Sequence, residues 1–219
     1  MFLCWKIMIE IINIIIALFS FLLITFVPLN IFALKNKIFN SCSSLDLASF
    51  NLILNCNILL IFSLIPLPLE SYSYIYYSFL IVLYFYSYFL KFKNFKEFKN
   101  VIINIILFAS IFFIISINVT AKLKLGWDAQ FFYYIKSLFF IEGQNFYDLN
   151  KFQYGFHPHL GSFFWSFYWN LINLNYEYLG RLFYVFISCF SFFYICKKNL
   201  ESNDYRILLF FLLVLFFYE

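Results

Sequence analysis

The stretch NVIINIILFASIFFIISINV, residues 100–119, contains no ionisable side chain. It runs for the roughly 20 residues that an α-helix needs to cross a bilayer. Its apolar residues are continuous and do not alternate at period two, so it reads as a membrane helix and not as a barrel strand. Similar blocks lie to either side: 7–34, 49–67 and 72–90 before it, and 160–174, 180–196 and 207–218 after it. Pro28 kinks or ends the first block, and Pro66 and Pro68 close the second. No small-residue cleavage site follows the first block, which is therefore read as a retained span.

The whole composition agrees. Hydrophobic residues make up 64% of the 219 and charged residues 12%, against about 45–50% and about 25% in soluble domains. A water-soluble fold of this composition would expose large apolar patches. In lipid the backbone must satisfy its own hydrogen bonds, which leaves helices or closed barrels. The expected fold is thus all-α, a polytopic transmembrane helical bundle with a partly helical external loop. It divides into four N-terminal transmembrane helices over 1–119, an external loop of catalytic type over 120–159, and further membrane helices over 160–219. The last block abuts Glu219 with no polar tail, which points to a piece of a longer membrane protein.

Orientation follows from Lys and Arg in short loops. The most basic loop, with Lys91, Lys93, Lys96 and Lys99, is expected in the cytoplasm together with Lys35 and Lys37. The N-terminus and the 120–159 loop then lie outside an integral, multi-pass protein of the plasma (inner) membrane, surrounded by membrane lipids. The block at 160–174 is short for a crossing. A full crossing puts Lys197 and Lys198 outside, and a re-entrant path puts them inside. The net charge of +4 is small and sits in loops, which argues against a nucleic-acid partner. Five cysteines (Cys4, Cys42, Cys56, Cys189, Cys196) form no C-x-x-C pair, so neither a disulfide framework nor a zinc site is expected. Asn13, Asn51, Asn55 and Asn57 fall in or near spans and are expected to hydrogen-bond between helices.

Chemistry is concentrated in the loop at 120–159. It opens with Gly126-Trp127-Asp128-Ala129 and continues through Tyr133, Tyr134 and Lys136 as an interfacial helix. Asp128 sits near the helix start, where the dipole favours an anion and where an ordinary N-cap is the plainer role. Lys136 lies about 12 Å further along a regular helix, too far for a salt bridge with Asp128 but suited to the other end of an elongated ligand. Its plainer role is a snorkelling interfacial lysine. The loop closes with Tyr154-Gly155-Phe156-His157-Pro158-His159-Leu160. Asp128, His157 and His159 are the only candidates for a divalent metal cofactor. Two histidines flanking a proline do not share a helical face, and no cofactor is required by the pattern.

Trp127, Asp128, Ala129, Tyr133 and Lys136, followed by His157-Pro158-His159-Leu160 and then Arg181, resemble the first large external loop of polytopic GT-C type glycosyltransferases. The chain carries Asp128 alone where many members have an acidic pair, and His157 where a tyrosine precedes the proline. The resemblance covers about residues 126–185. It implies a polyprenyl-phosphate sugar donor, a lipid or glycan acceptor, Asp128 as catalytic residue, and Lys136, Tyr133, His157 and Arg181 as substrate-binding residues. Two other functions remain alongside it: a non-enzymatic transporter or lipid-handling subunit, and an inactive fragment of such a transferase. A transporter predicts ionisable or broken elements near the bilayer midplane, whereas the charges here gather in one loop.

Overall fold

The structure, a computed structural model, describes residues 2–26, 43–91, 105–117, 125–126, 129–151 and 158–199. Among these residues it is all helical, with no strand. The α-helices are α1 (Phe2–Phe26), α2 (Ser44–Ser63), α3 (Leu69–Lys91), α4 (Ile105–Ile117), α5 (Ile135–Ile141), α6 (Leu160–Ile172) and α7 (Tyr178–Asn199). A π-helix, Ala129–Tyr134, leads into α5, and a 3-10 helix, Phe146–Lys151, follows it. Three helices are long and apolar enough to cross a membrane, with spans at Met8–Thr25, Leu45–Ser63 and Tyr178–Lys197. The expected all-α bundle with membrane helices is thus present.

Several boundaries differ from the hydropathy reading. α2 begins at Ser44 and not at 49. The Ser43 hydroxyl accepts from the Asp46 N–H, and the Asp46 carboxylate accepts from the Ser43 N–H, a reciprocal capping box that starts the helix in a polar stretch. α2 ends at Ser63, ahead of Pro66 and Pro68, as expected. α3 extends the expected 72–90 at both ends. α4 covers part of 100–119. The expected span at 207–218, the kink at Pro28, and the residues Lys35, Lys37, Lys93, Lys96 and Lys99 lie outside the described residues.

The core is mostly aromatic. Phe21 of α1 meets Tyr168 of α6 and Phe183 and Phe186 of α7 at centroid distances of 5.2–5.6 Å. Tyr168 and Phe183 stack at 4.0 Å. α6 and α7 pack closely: a Cβ on Gly180 would come within 2.2 Å of the Trp165 carbonyl oxygen. Only glycine fits there. The asparagines expected to bind between helices do so at two positions. Asn51 Nδ2 donates to the Thr25 carbonyl of α1 at 2.7 Å. Asn55 Nδ2 donates to the Tyr168 hydroxyl at 2.8 Å, and its Oδ1 accepts from Tyr76 of α3. Asn57 instead donates to Ile53 of its own helix.

These contacts fix the two ends of the bundle. Ser63, in α2's last turn, meets His159 just ahead of α6. At α2's other end Asp46 accepts from the Tyr194 hydroxyl of α7 at 2.6 Å. α7 therefore finishes at the end of α2 opposite the one that α6 touches first. α6 has only 13 residues, or about 20 Å at helical rise.

Candidate functional site

The site grows from the way the 129–151 segment is fastened across one end of the bundle. Small residues hold it down. Ser166 Oγ of α6 shares its proton between the Ser162 carbonyl at 2.6 Å and the Ser137 carbonyl of α5 at 2.9 Å, and Ser137 Oγ shares its own between the Tyr133 carbonyl at 2.9 Å and the Ser162 carbonyl at 3.1 Å. Serines at 162 and 166 lie one turn apart, so both face α5, and their size lets the backbones approach. Tyr134, at the end of the π-helix, stacks on Trp169 (6.0 Å, 19°) and tilts against Trp165 (5.9 Å). α5 then stops at Gly143, whose φ of 83° is the left-handed conformation of a helix C-cap. The N–H of Gly143 donates to Phe140, and that of Gln144 to Phe139. This turn sends the chain back over the α2–α3 connection.

The fastening buries Lys136 completely, at 0% exposed. The snorkelling role therefore does not hold, because the ammonium does not reach water. Burial pushes its pKa below the ordinary lysine value. Beside it stands His159, which burial and then the Lys136 charge push below the ordinary histidine value. The imidazole packs on Phe146 with centroids 4.3 Å apart. Its Nε2 lies 3.3 Å from Ser63 Oγ. That hydroxyl already donates to the Leu60 carbonyl at 2.7 Å. Nε2 must therefore carry the proton in this pair, which assigns the neutral tautomer. Two separate elements, α2 and the 3-10 helix, thus converge on His159, within the electrostatic reach of Lys136 on α5. Next to them lies a pocket of about 10 Å³, lined by Ser63, Ile65, Leu67, Tyr72, Gln144 and Asn145 among others. It has room for about one water.

Of the residues singled out from the sequence, Lys136 and His159 come together. Tyr133 is on the exposed side of the same loop helix, close to Tyr184 of α7. Arg181 lies near Trp165, whose ring Tyr134 also meets. It forms a two-pronged pair with Glu177, Nε to Oε1 at 2.8 Å and NH2 to Oε2 at 3.0 Å. Its guanidinium carbon sits 6.0 Å from the centre of Trp165. Burial raises the Glu177 pKa against the opposing effect of Arg181. Glu177 is the partner of Arg181 that the sequence reading did not single out, although its i,i+4 spacing to Arg181 was the available signal. Trp127, Asp128 and His157 lie outside the described residues. The metal candidates share that position apart from His159, and no group of three His, Cys, Asp or Glu side chains comes together among the described residues.

No protein-family model matches the chain, and neither a curated protein nor a solved structure is similar to it.

Proposed function

We propose that this protein transfers a sugar from a polyprenyl-phosphate donor to a lipid or glycan acceptor at the extracytoplasmic face of the plasma membrane. The observation that carries the reading is the burial of Lys136 beside His159, on a loop helix that lies across one end of a membrane bundle. A phosphate arriving next to a buried ammonium favours its charged form. Deeper in the bundle the buried polar groups of α2, α3 and α6 are neutral and bonded to one another. That is the pattern of a packed core and not of an ion path.

In this reading Asp128 takes the proton from the acceptor hydroxyl. The acceptor oxygen attacks the anomeric carbon from the face opposite the phosphate. The carbon–oxygen bond to phosphate breaks, the anomeric centre inverts, and polyprenyl phosphate leaves beside Lys136. The sidedness rests on charge. α3 starts at the loop end and α7 finishes at the opposite end, so Lys91 and Lys197 both fall opposite the loop. With the basic end in the cytoplasm, the loop faces outward. α6 is then re-entrant, which its length favours.

A second reading, a lipid-handling subunit without catalysis, is favoured by one observation: Arg181 is already engaged by Glu177. One experiment separates the two. Donor consumption is measured in membranes with matched expression of wild type, Asp128→Asn and Lys136→Met. The transferase reading expects turnover by wild type and its loss in both variants. Equal turnover by all three would overturn the residue roles. Wild type that binds polyprenyl-phosphate sugars without consuming any of them would establish the lipid-handling reading.

A further inference from the structure

α2 and α3 are joined at the loop end by Leu64-Ile65-Pro66-Leu67-Pro68, which carries no polar side chain. All five residues are exposed; Leu67 is 45% exposed. An irregular exposed turn ordinarily faces water, which satisfies its backbone. Here the protein does that itself. Pro66 and Pro68 have no N–H. The Leu64 N–H donates to Ile61 at 3.1 Å and the Ile65 N–H to Phe62 at 3.0 Å. The Leu67 N–H donates to the Ile65 carbonyl at 2.9 Å and to the Tyr72 hydroxyl at 3.0 Å. The Tyr72 hydroxyl donates in turn to the Ile65 carbonyl. Every N–H in the turn therefore has a partner inside the protein, and the Ile65 and Pro68 carbonyls accept within it; this meets the donor half of the condition that hydrocarbon imposes on irregular backbone.

The turn's surface also continues that of the membrane helices. Ile53 and Ile61 of α2 and Ile75 and Phe79 of α3 are exposed on either side of it. No ionisable residue other than Cys56 interrupts the chain from Leu47 to Leu69, and Glu70, which is exposed, comes next.

We propose that the 64–68 turn is seated in the bilayer at the boundary between acyl chains and headgroups, so that its occupant is lipid. Glu70 marks the level of the headgroups. The turn lines the pocket that also includes Gln144 and Asn145, and its neighbour Ser63 holds His159. The candidate site is then reached sideways from the membrane, at the depth of a lipid phosphate. This placement does not depend on the transferase reading.

The test places a tryptophan at Leu67 and, separately, at Ile65 in the full chain reconstituted in liposomes. The added emission relative to wild type is read against Lys151→Trp, a position whose side chain is 74% exposed. A turn in lipid gives blue-shifted emission that acyl-brominated phospholipid quenches and aqueous iodide does not, with the opposite order at position 151. Iodide quenching at both turn positions would put the turn in water and overturn the proposal. Emission quenched by neither agent would mean that protein covers the turn, which overturns it equally.

Discussion

Two polar clusters lie within this bundle, and they differ in charge and depth. The inner one joins Asn55, Tyr76 and Tyr168 from α2, α3 and α6 through bonds among neutral groups, each at most 3% exposed. The one at the loop end holds His159 within the electrostatic reach of Lys136. Neutral hydrogen-bonded groups are tolerated at depth in a membrane, whereas charges are costly there and settle near headgroups or mark function. The inner cluster therefore reads as an anchor for the fold. The outer one, where burial works against the charge on Lys136, reads as the place for chemistry.

The largest expected effect removes the frame that holds both clusters apart. Gly180→Ala puts a methyl carbon onto the Trp165 backbone, which cannot turn aside as a side chain can. We expect a loss of about 3 kcal/mol or more, at the upper end of overpacking costs. Thermal unfolding in detergent and the yield of monodisperse protein would show it. Tolerance of alanine, with an unchanged melting temperature, would mean that α6 and α7 do not cross this closely.

The next effect separates the clusters. Asn55→Leu leaves the Tyr76 and Tyr168 hydroxyls without their shared partner, at a cost of roughly 1–3 kcal/mol. Donor consumption per folded molecule should stay the same. Lys136→Met should act on turnover per folded molecule. Turnover should fall about 10–100-fold, the rate equivalent of the ~1.5–3 kcal/mol carried by a hydrogen bond to a charged group. If Asn55→Leu abolished turnover in folded protein, or folded Lys136→Met turned over as fast as wild type, the division between anchor and chemistry would collapse.

Much of this division was legible in the sequence. Long uncharged runs set the helices, and asparagines inside them marked the bonds from Asn51 and Asn55. The start of α2 was misplaced because hydropathy averages over Ser43, Ser44 and Asp46, where a capping box and not apolar surface begins the helix. Glu177 stands outside the 126–136 and 154–161 segments that carry the polar motifs, and its role shows only in the ion pair with Arg181 one turn on. The meeting of Lys136 with His159 was beyond reach. It depends on a π-helix that shifts the facing of the loop helix and on serine contacts between α5 and α6, neither of which has a hydropathy signature.

The smallest effect concerns pH. His159 is held neutral between Ser63 and Phe146, with its pKa lowered by burial and by Lys136. A folded-state pKa below the unfolded value gives stability that is present above the unfolded value and is lost as pH falls through the folded one. The window therefore opens below pH ~6.5, the ordinary histidine value. Protonation would set a second cation beside Lys136 and loosen the hold on the 3-10 helix. Amide exchange, corrected for its intrinsic pH dependence, should rise at residues 146–151 as the pH drops through that window. Exchange at α7 should not follow. His159→Gln should remove the pH dependence at 146–151. If the rise persisted in that variant, a different group would be responsible, and His159 would be only a packing residue at the foot of α6.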